Sequence, residues 1–312
     1  MSKTAIVFPG QGSQHLAMAQ DLSEQYPIIS ETLKEASECL GYDLQALIND
    51  GPEEKLNSTN YTQPAILAVS VAIYRQLQSE LDLNVQLMAG HSLGEYSALV
   101  CSGALAFSDA LKLVSKRGSF MLEAVPEGVG AMAAILGLED SAIEKVCVDA
   151  AEDEVVSAVN YNSPGQVVIA GHKAAVARAS QLCIDAGAKR AIPLAVSVPS
   201  HCALMEPAAA QLNTELDSIA LNSPSFAIIN NVDVANCSDS DAIKDALVRQ
   251  LSNPVRWSET IQYMEANGVE QYVECGPSKV LAGLIKRVNR RSKVFVTADV
   301  ANYTKLVESQ NT

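Results

Sequence analysis

Gly90-His91-Ser92-Leu93-Gly94 is the stretch of this chain best suited to nucleophilic chemistry. It matches G-x-S-x-G and lies between an apolar run that reads as a strand, Val85 to Ala89, and a helical pattern from Leu93 to Ser102. That context predicts a sharp strand-to-helix turn holding the serine hydroxyl out at the carboxyl edge of a sheet. Small residues two places either side leave room for the turn. The helix that follows aims its N-terminal N–H groups at any negative charge formed there.

A serine nucleophile needs a base, and the chain has four histidines. His91 adjoins the serine in the turn, so its side chain should point away from the hydroxyl. His15 opens a helical pattern and suits a capping or surface role. His172 follows Ile169-Ala170-Gly171 and suits a turn. His201 comes after Val196-Ser197-Val198, read as a strand of the sheet, and the break Pro199-Ser200. Catalytic groups collect at strand ends in α/β folds, so elimination favours His201 as general base. Cys202 beside it reads as packing. The stretch from Arg190 to Ser200 contains no Asp or Glu, which argues against an ordinary hydrolase triad. A carbonyl oxygen accepting from Nδ1–H can orient a histidine instead, at the cost of the charge that steadies an imidazolium.

The elements that must position these groups alternate. Strand patterns at Thr4 to Phe8, Val85 to Ala89, Phe226 to Asn230, Gln271 to Glu274 and Val294 to Thr297 are separated by helical spacing such as Ala65 to Leu81 and Asp109 to Ala124, the latter with Ser108 as N-cap. This predicts an α/β fold with a hydrolase-like core and a mostly parallel sheet. From Pro126 the order becomes strand, helix, strand, strand, helix, strand, ending at Arg190 to Ala195. That is the ferredoxin-like βαββαβ arrangement. The expected division is a main domain over 1–125 and 198–312 and an inserted small subdomain over 126–197. The polar tail after Tyr303 is expected to fray.

Net charge is −14, which disfavours nucleic-acid binding. No apolar run is long enough to span a bilayer, and no secretory signal is evident at the N-terminus. The cysteines are scattered, odd in number and never in C-x-x-C, which fits a reducing cytoplasm without a disulfide framework or zinc site. No cofactor or metal is expected.

Further motifs occur in order with the elbow: Phe8-Pro9-Gly10-Gln11-Gly12-Ser13-Gln14, Tyr61-Thr62-Gln63-Pro64-Ala65, Asn160-Tyr161-Asn162-Ser163-Pro164-Gly165-Gln166-Val167-Val168-Ile169-Ala170-Gly171, Val198-Pro199-Ser200-His201 and Asn253-Pro254-Val255-Arg256-Trp257. With them the chain closely resembles the bacterial malonyl-CoA:acyl carrier protein transacylases of type II fatty acid synthesis, from Ile6 to about Val288. The resemblance implies that Ser92 carries the acyl ester, that His201 is its base, and that Gln250, through side chain or main chain, orients His201. It implies an oxyanion hole from the N–H groups of Gln11 and Leu93, a malonate-binding Arg117, and cleft residues Gln63 and Asn162. A guanidinium fork suits a free carboxylate.

The reaction so implied is ping-pong transfer from malonyl-CoA to the phosphopantetheine thiol of an acyl carrier protein. Carrier proteins of this pathway are acidic, so a local basic patch must dock them. Lys286, Arg287, Arg290, Arg291 and Lys293 form the densest basic run, and Lys189-Arg190 is a second candidate. The rival readings are a serine esterase or thioesterase, a polyketide-type acyltransferase loading a related extender, and an inactive carrier-binding scaffold.

Overall fold

A computed structural model describes residues 2–196 and 198–310. Among them the strands are β1 (Thr4–Phe8), β2 (Val85–Gly90), β3 (Gly130–Leu136), β4 (Val156–Ser163), β5 (Gln166–His172), β6 (Arg190–Pro193), β7 (Ala227–Ile229), β8 (Gln271–Glu274) and β9 (Lys293–Val296). The larger sheet runs β7-β2-β1-β8-β9, and every neighbouring pair is parallel. β1 is buried along its whole length, which is why it reads as an unbroken apolar run. The expected α/β fold with a mostly parallel sheet is therefore the observed one.

β3 to β6 form a separate antiparallel sheet in the order β4-β5-β3-β6. Alternation along β3 splits its side chains. Ala133 and Ile135 pack under the helices Asp140–Ala151 and Lys173–Asp185, while Met132 and Ala134 share the opposite face with Cys202. Two backbone hydrogen bonds tie this sheet to the larger body. Tyr161 N–H donates to Val255 O (3.0 Å), and Val255 N–H donates to Val159 O (2.8 Å).

Parallel register places the site. Phe8 pairs with Gly90 at the carboxyl ends of β1 and β2, so the loop carrying Gln11 and the elbow carrying Ser92 leave adjacent strands at one edge. Gly94 lets them touch: a Cβ there would lie 2.0 Å from Phe8 O. The helices Thr59–Glu80 and Phe107–Ala124 also cross closely, at Gly118, where a Cβ would lie 2.5 Å from Asn60 Cα. That contact sets Arg117 beside Gln63.

Four expectations change. Of the strand read at Val196-Ser197-Val198, Ser197 lies outside the described residues. Its neighbours are not in a strand, because Val196 N–H bonds back to Leu194 O (3.0 Å) and Ser200 N–H to Val198 O (3.1 Å). Such i to i−2 bonds are tight turns rather than a ladder. Pro64 lies inside its helix rather than ahead of it. The carbonyl of Asn60, which a proline cannot satisfy, accepts from Ser115 Oγ (3.3 Å). The helix Phe107–Ala124 starts before Ser108, with Ala106 as its N-cap; burial of Phe107 draws the first turn back. The tail does not fray at Tyr303: Val300–Gln310 is a helix that buries Tyr303 and Leu306, and Tyr303 Oη meets Glu80 Oε2 at 2.9 Å.

Truncating a fully buried leucine removes its transfer energy and leaves a cavity. Leu306→Ala should therefore cost about 2–4 kcal/mol, read as a lowered midpoint in urea unfolding. An unchanged midpoint would mean that the last helix contributes nothing to the fold.

Candidate active site

Ser92 sits at the tip of the turn between β2 and the helix Gly94–Cys101, with φ at 52°. His201 also has a positive φ, 67°. Left-handed backbone at a residue with a side chain costs about 1–3 kcal/mol and persists where surrounding structure enforces it. At Ser92 the enforcing group is Asn231, on the loop after β7. Its Oδ1 accepts from Ser92 N–H (2.7 Å) and its Nδ2 donates to Gly90 O (2.7 Å), clipping the two sides of the turn together. At His201 the main-chain N–H donates to Leu251 O (2.9 Å).

These two conformations bring Ser92 Oγ to 2.8 Å from His201 Nε2. His201 Nδ1 lies 2.7 Å from the main-chain oxygen of Gln250. A carbonyl can only accept, so Nδ1 carries the hydrogen and Nε2 presents its lone pair to the serine hydroxyl. Burial pulls the His201 pKa down to about 3, the nearby charge of Arg117 adds to the fall, and the bond to Gln250 O opposes it. The imidazole is thus a neutral acceptor.

Arg117 is 1% exposed and forms no ion pair among the described residues. Its Nη1 donates to Gln63 Oε1 (2.8 Å) and its Nη2 to Gln250 Oε1 (3.1 Å) and Ser92 Oγ (3.4 Å). Its Nε–H has no acceptor among the described residues. Burial lowers its pKa. Its hydrogen bonds all go to neutral oxygens, and the one carboxylate that acts on it by charge, Glu95, is not bonded to it. A guanidinium buried with donors to spare is set to take up an anion.

These groups open onto a cavity of about 1150 Å³ whose wall includes Gln11, Ser92, Leu93, Arg117, Asn160 and His201. Among the described residues neither the Gln11 nor the Leu93 N–H donates to a protein acceptor. Gln63 and Asn162 are not in this wall. Gln63 braces Arg117 from behind, and Asn162 Oδ1 lies 2.8 Å from His91 Nε2, which turns the His91 ring away from the serine hydroxyl. His172 is not in a turn: it is the last residue of β5, and its Nδ1 accepts from Val155 N–H (2.9 Å), while Cys202 Sγ donates to Pro199 O. Lys286, Arg287, Arg290, Arg291, Lys293, Lys189 and Arg190 are all exposed and outside the cavity. Three of them converge: Arg190 pairs with Leu136, Leu136 with Gln166, and Gln166 Oε1 accepts from Arg287, while Lys189 covers Gly137. A second groove, of about 770 Å³ beside Glu139, Asp140 and Arg256, holds none of the elbow residues.

Residues 5–308 match the family model of the acyl transferase domain. The chain belongs to that family. It is 60% identical over 288 residues to the malonyl CoA-acyl carrier protein transacylase of Escherichia coli K12, covering 92% of this chain and 93% of that protein. The transacylase of the same name from Haemophilus influenzae is 57% identical and covers 99% of both chains. Among solved structures, a malonyl-transacylase in complex with a type II PKS acyl-carrier protein superposes with a TM-score of 0.97 at 54% identity, covering 99% of this chain and 100% of that one.

Sequence reading missed two residues of this acyl transferase site, Asn231 and Glu95. Glu95 is 3% exposed, and its Oε2 accepts from Asn231 N–H (3.0 Å) and Gln250 Nε2 (2.8 Å). An acid in the first turn of a helix passes for a dipole partner. The one usable signal was that an N-terminal acid in so apolar a helix must be buried.

Replacing Asn231 by Ala should leave Ser92 N–H and Gly90 O without partners, at about 1–3 kcal/mol each, and let the turn relax. Labelling of Ser92 by phenylmethylsulfonyl fluoride should slow tenfold or more, with far-UV circular dichroism unchanged. Native labelling in a folded variant would exclude Asn231 as the clip.

Proposed function

We propose that this chain moves a malonyl group from malonyl-CoA to the phosphopantetheine thiol of an acyl carrier protein, through an ester on Ser92. The observation that carries this reading is Arg117: a buried guanidinium with no carboxylate hydrogen-bonded to it among the described residues, 3.4 Å from the nucleophile. A malonyl thioester supplies both a carbonyl for Ser92 and a free carboxylate for Arg117. The names of the two curated relatives and of the solved neighbour agree with it.

His201 Nε2 takes the Ser92 proton as Oγ attacks the thioester carbonyl. The tetrahedral oxyanion is held by the N–H groups of Gln11 and Leu93. The coenzyme A thiolate leaves and takes the proton from His201. The carrier thiol then repeats the steps in reverse, with His201 again accepting the proton. Gln250 acts on His201 through its main-chain oxygen, while Gln63 and Asn162 act through Arg117 and His91. No cofactor enters the scheme, and no helix among the described residues is long and apolar enough to cross a membrane. The proposed setting is the cytoplasm, in fatty acid synthesis. The solved complex with a type II PKS carrier favours a polyketide carrier as the second reading.

The finer fold labels belong here too. A parallel sheet with its nucleophile between strand and helix supports a hydrolase-like core over 1–125 and 198–312. The strand order β4-β5-β3-β6 supports a ferredoxin-like insertion over 126–197.

Intact-protein mass spectrometry after mixing with malonyl-CoA tests the reading. One malonyl group should appear on the native chain and none on Ser92→Ala; its absence from both would end the proposal. Arg117→Ala should lower malonyl loading about 10–100-fold, the worth of a charge-assisted contact, and remove preference over acetyl.

The converging basic corner is the proposed carrier dock. Arg190→Glu with Arg287→Glu should weaken transfer to the carrier, and more so at low salt, while leaving loading from malonyl-CoA intact. Equal loss in both half-reactions would remove the corner from the docking surface.

A further inference from the structure

Arg117 can select a carboxylate only if its fork is held in place before the acyl group arrives. Of its two neutral braces, Gln63 is buried between Arg117 and Met121 Sδ (3.4 Å). The other, Gln250, has an amide that could face either way. Its Oε1 lies toward Arg117 and its Nε2 toward Glu95 Oε2 and Ser92 O (3.1 Å).

An ionised carboxylate offers acceptors only, so it dictates which end of a facing amide it meets. We propose that Glu95 is a positioning residue for acyl selection: its carboxylate keys the Gln250 side chain so that Oε1 must face Arg117, holding the guanidinium toward Ser92. This extends the malonyl reading and rests on it. Glu95 makes no hydrogen bond to Arg117 and is not part of the cavity wall; beyond its charge, its hold on the geometry of Arg117 runs through Gln250. A glutamine at 95 could turn its own NH2 toward Gln250 and release the key. Only the 3.1 Å bond from Gln250 Nε2 to Ser92 O would then favour the present orientation, and each time the amide turned over Arg117 Nη2 would face a nitrogen and lose its acceptor.

Burial pushes the Glu95 pKa up to about 7, against its hydrogen bonds to Gln250 and Asn231 and the charge of Arg117. The other groups facing it do not titrate there. Asp233 is lowered and stays ionised, Cys237 is raised, and Tyr96 is raised to about 12. The key is therefore about half-formed near pH 7, completes as Glu95 ionises above it and weakens as Glu95 takes up a proton below it. His201, near 3, stays neutral across that window.

The test measures Ser92 loading from malonyl-CoA and from acetyl-CoA by intact mass, with the ratio of second-order rates as the readout. Glu95→Gln should lower the malonyl-over-acetyl ratio about tenfold. Gln250→Met, which keeps the main-chain oxygen, should lower it similarly. The double variant should fall no further, since both changes break one linkage. In the native protein the ratio should drop as pH falls through about 7, and in Glu95→Gln it should not. Equal loss of both rates at a constant ratio would reduce Glu95 to a structural role and overturn the proposal, as would an unchanged ratio. If Glu95→Gln does not fold, an unchanged ratio in Gln250→Met would overturn it alone. Failure of the native chain to acquire malonyl would instead defeat the reading beneath, and the proposal with it.

Discussion

The 2.8 Å contact between Ser92 Oγ and His201 Nε2 joins two residues that both hold backbone conformations unfavourable for L-amino acids. Neither conformation would persist on a free loop. Each is held by main-chain and amide contacts from sequence-distant segments, Asn231 on one side and Leu251 with Gln250 on the other. The cost of order 1–3 kcal/mol per residue is offset by tertiary contacts, so the dyad geometry exists only in the complete fold.

The segment from Gln250 to Trp257 links this geometry to the rest of the molecule. Its first residues orient His201 and brace Arg117, and Val255 bonds to β4 on the antiparallel sheet. The small sheet is thereby fixed against the same segment that sets the base. Its inward face, through Met132 and Asn160, then closes the cavity over the elbow. Two bodies and one short stretch of main chain thus bound the cavity onto which the elbow opens.

The elbow was legible because its information is local: glycines at fixed spacing, an apolar strand before and a helix after. His201 was reachable because only four histidines compete and the others have local explanations. The choice between side chain and main chain at Gln250 was not legible, since every residue carries a carbonyl and only the fold decides which one faces Nδ1. Asn231 was missed for a related reason. Its partner Ser92 is 139 residues away, and an amide after a short strand has no local signature. The tail misled because its polar residues face solvent, while Tyr303 and Leu306, three apart, supply a narrow buried stripe.

In the proposed reaction Arg117 acts on the base as well as on the acyl group. Its charge helps hold His201 far below an ordinary imidazole pKa, and its Nη2 donates to the oxygen that must become the nucleophile. Both effects depress reactivity in the empty site: proton transfer to His201 is costly, and the Ser92 lone pairs are engaged. A carboxylate on the guanidinium offsets the charge and competes for its donors. The same event then raises the basicity of His201 and frees Ser92 Oγ. An acyl group without a carboxylate would gain neither, so under the proposed reading discrimination reaches the chemical step as well as binding. A full Ser-His-Asp triad would blunt this link, because a buried aspartate would stabilise the imidazolium whatever sat on Arg117. A neutral carbonyl behind His201 leaves the base sensitive to the charge across the cavity, and a thioester, whose thiolate leaves readily, does not require the stronger base.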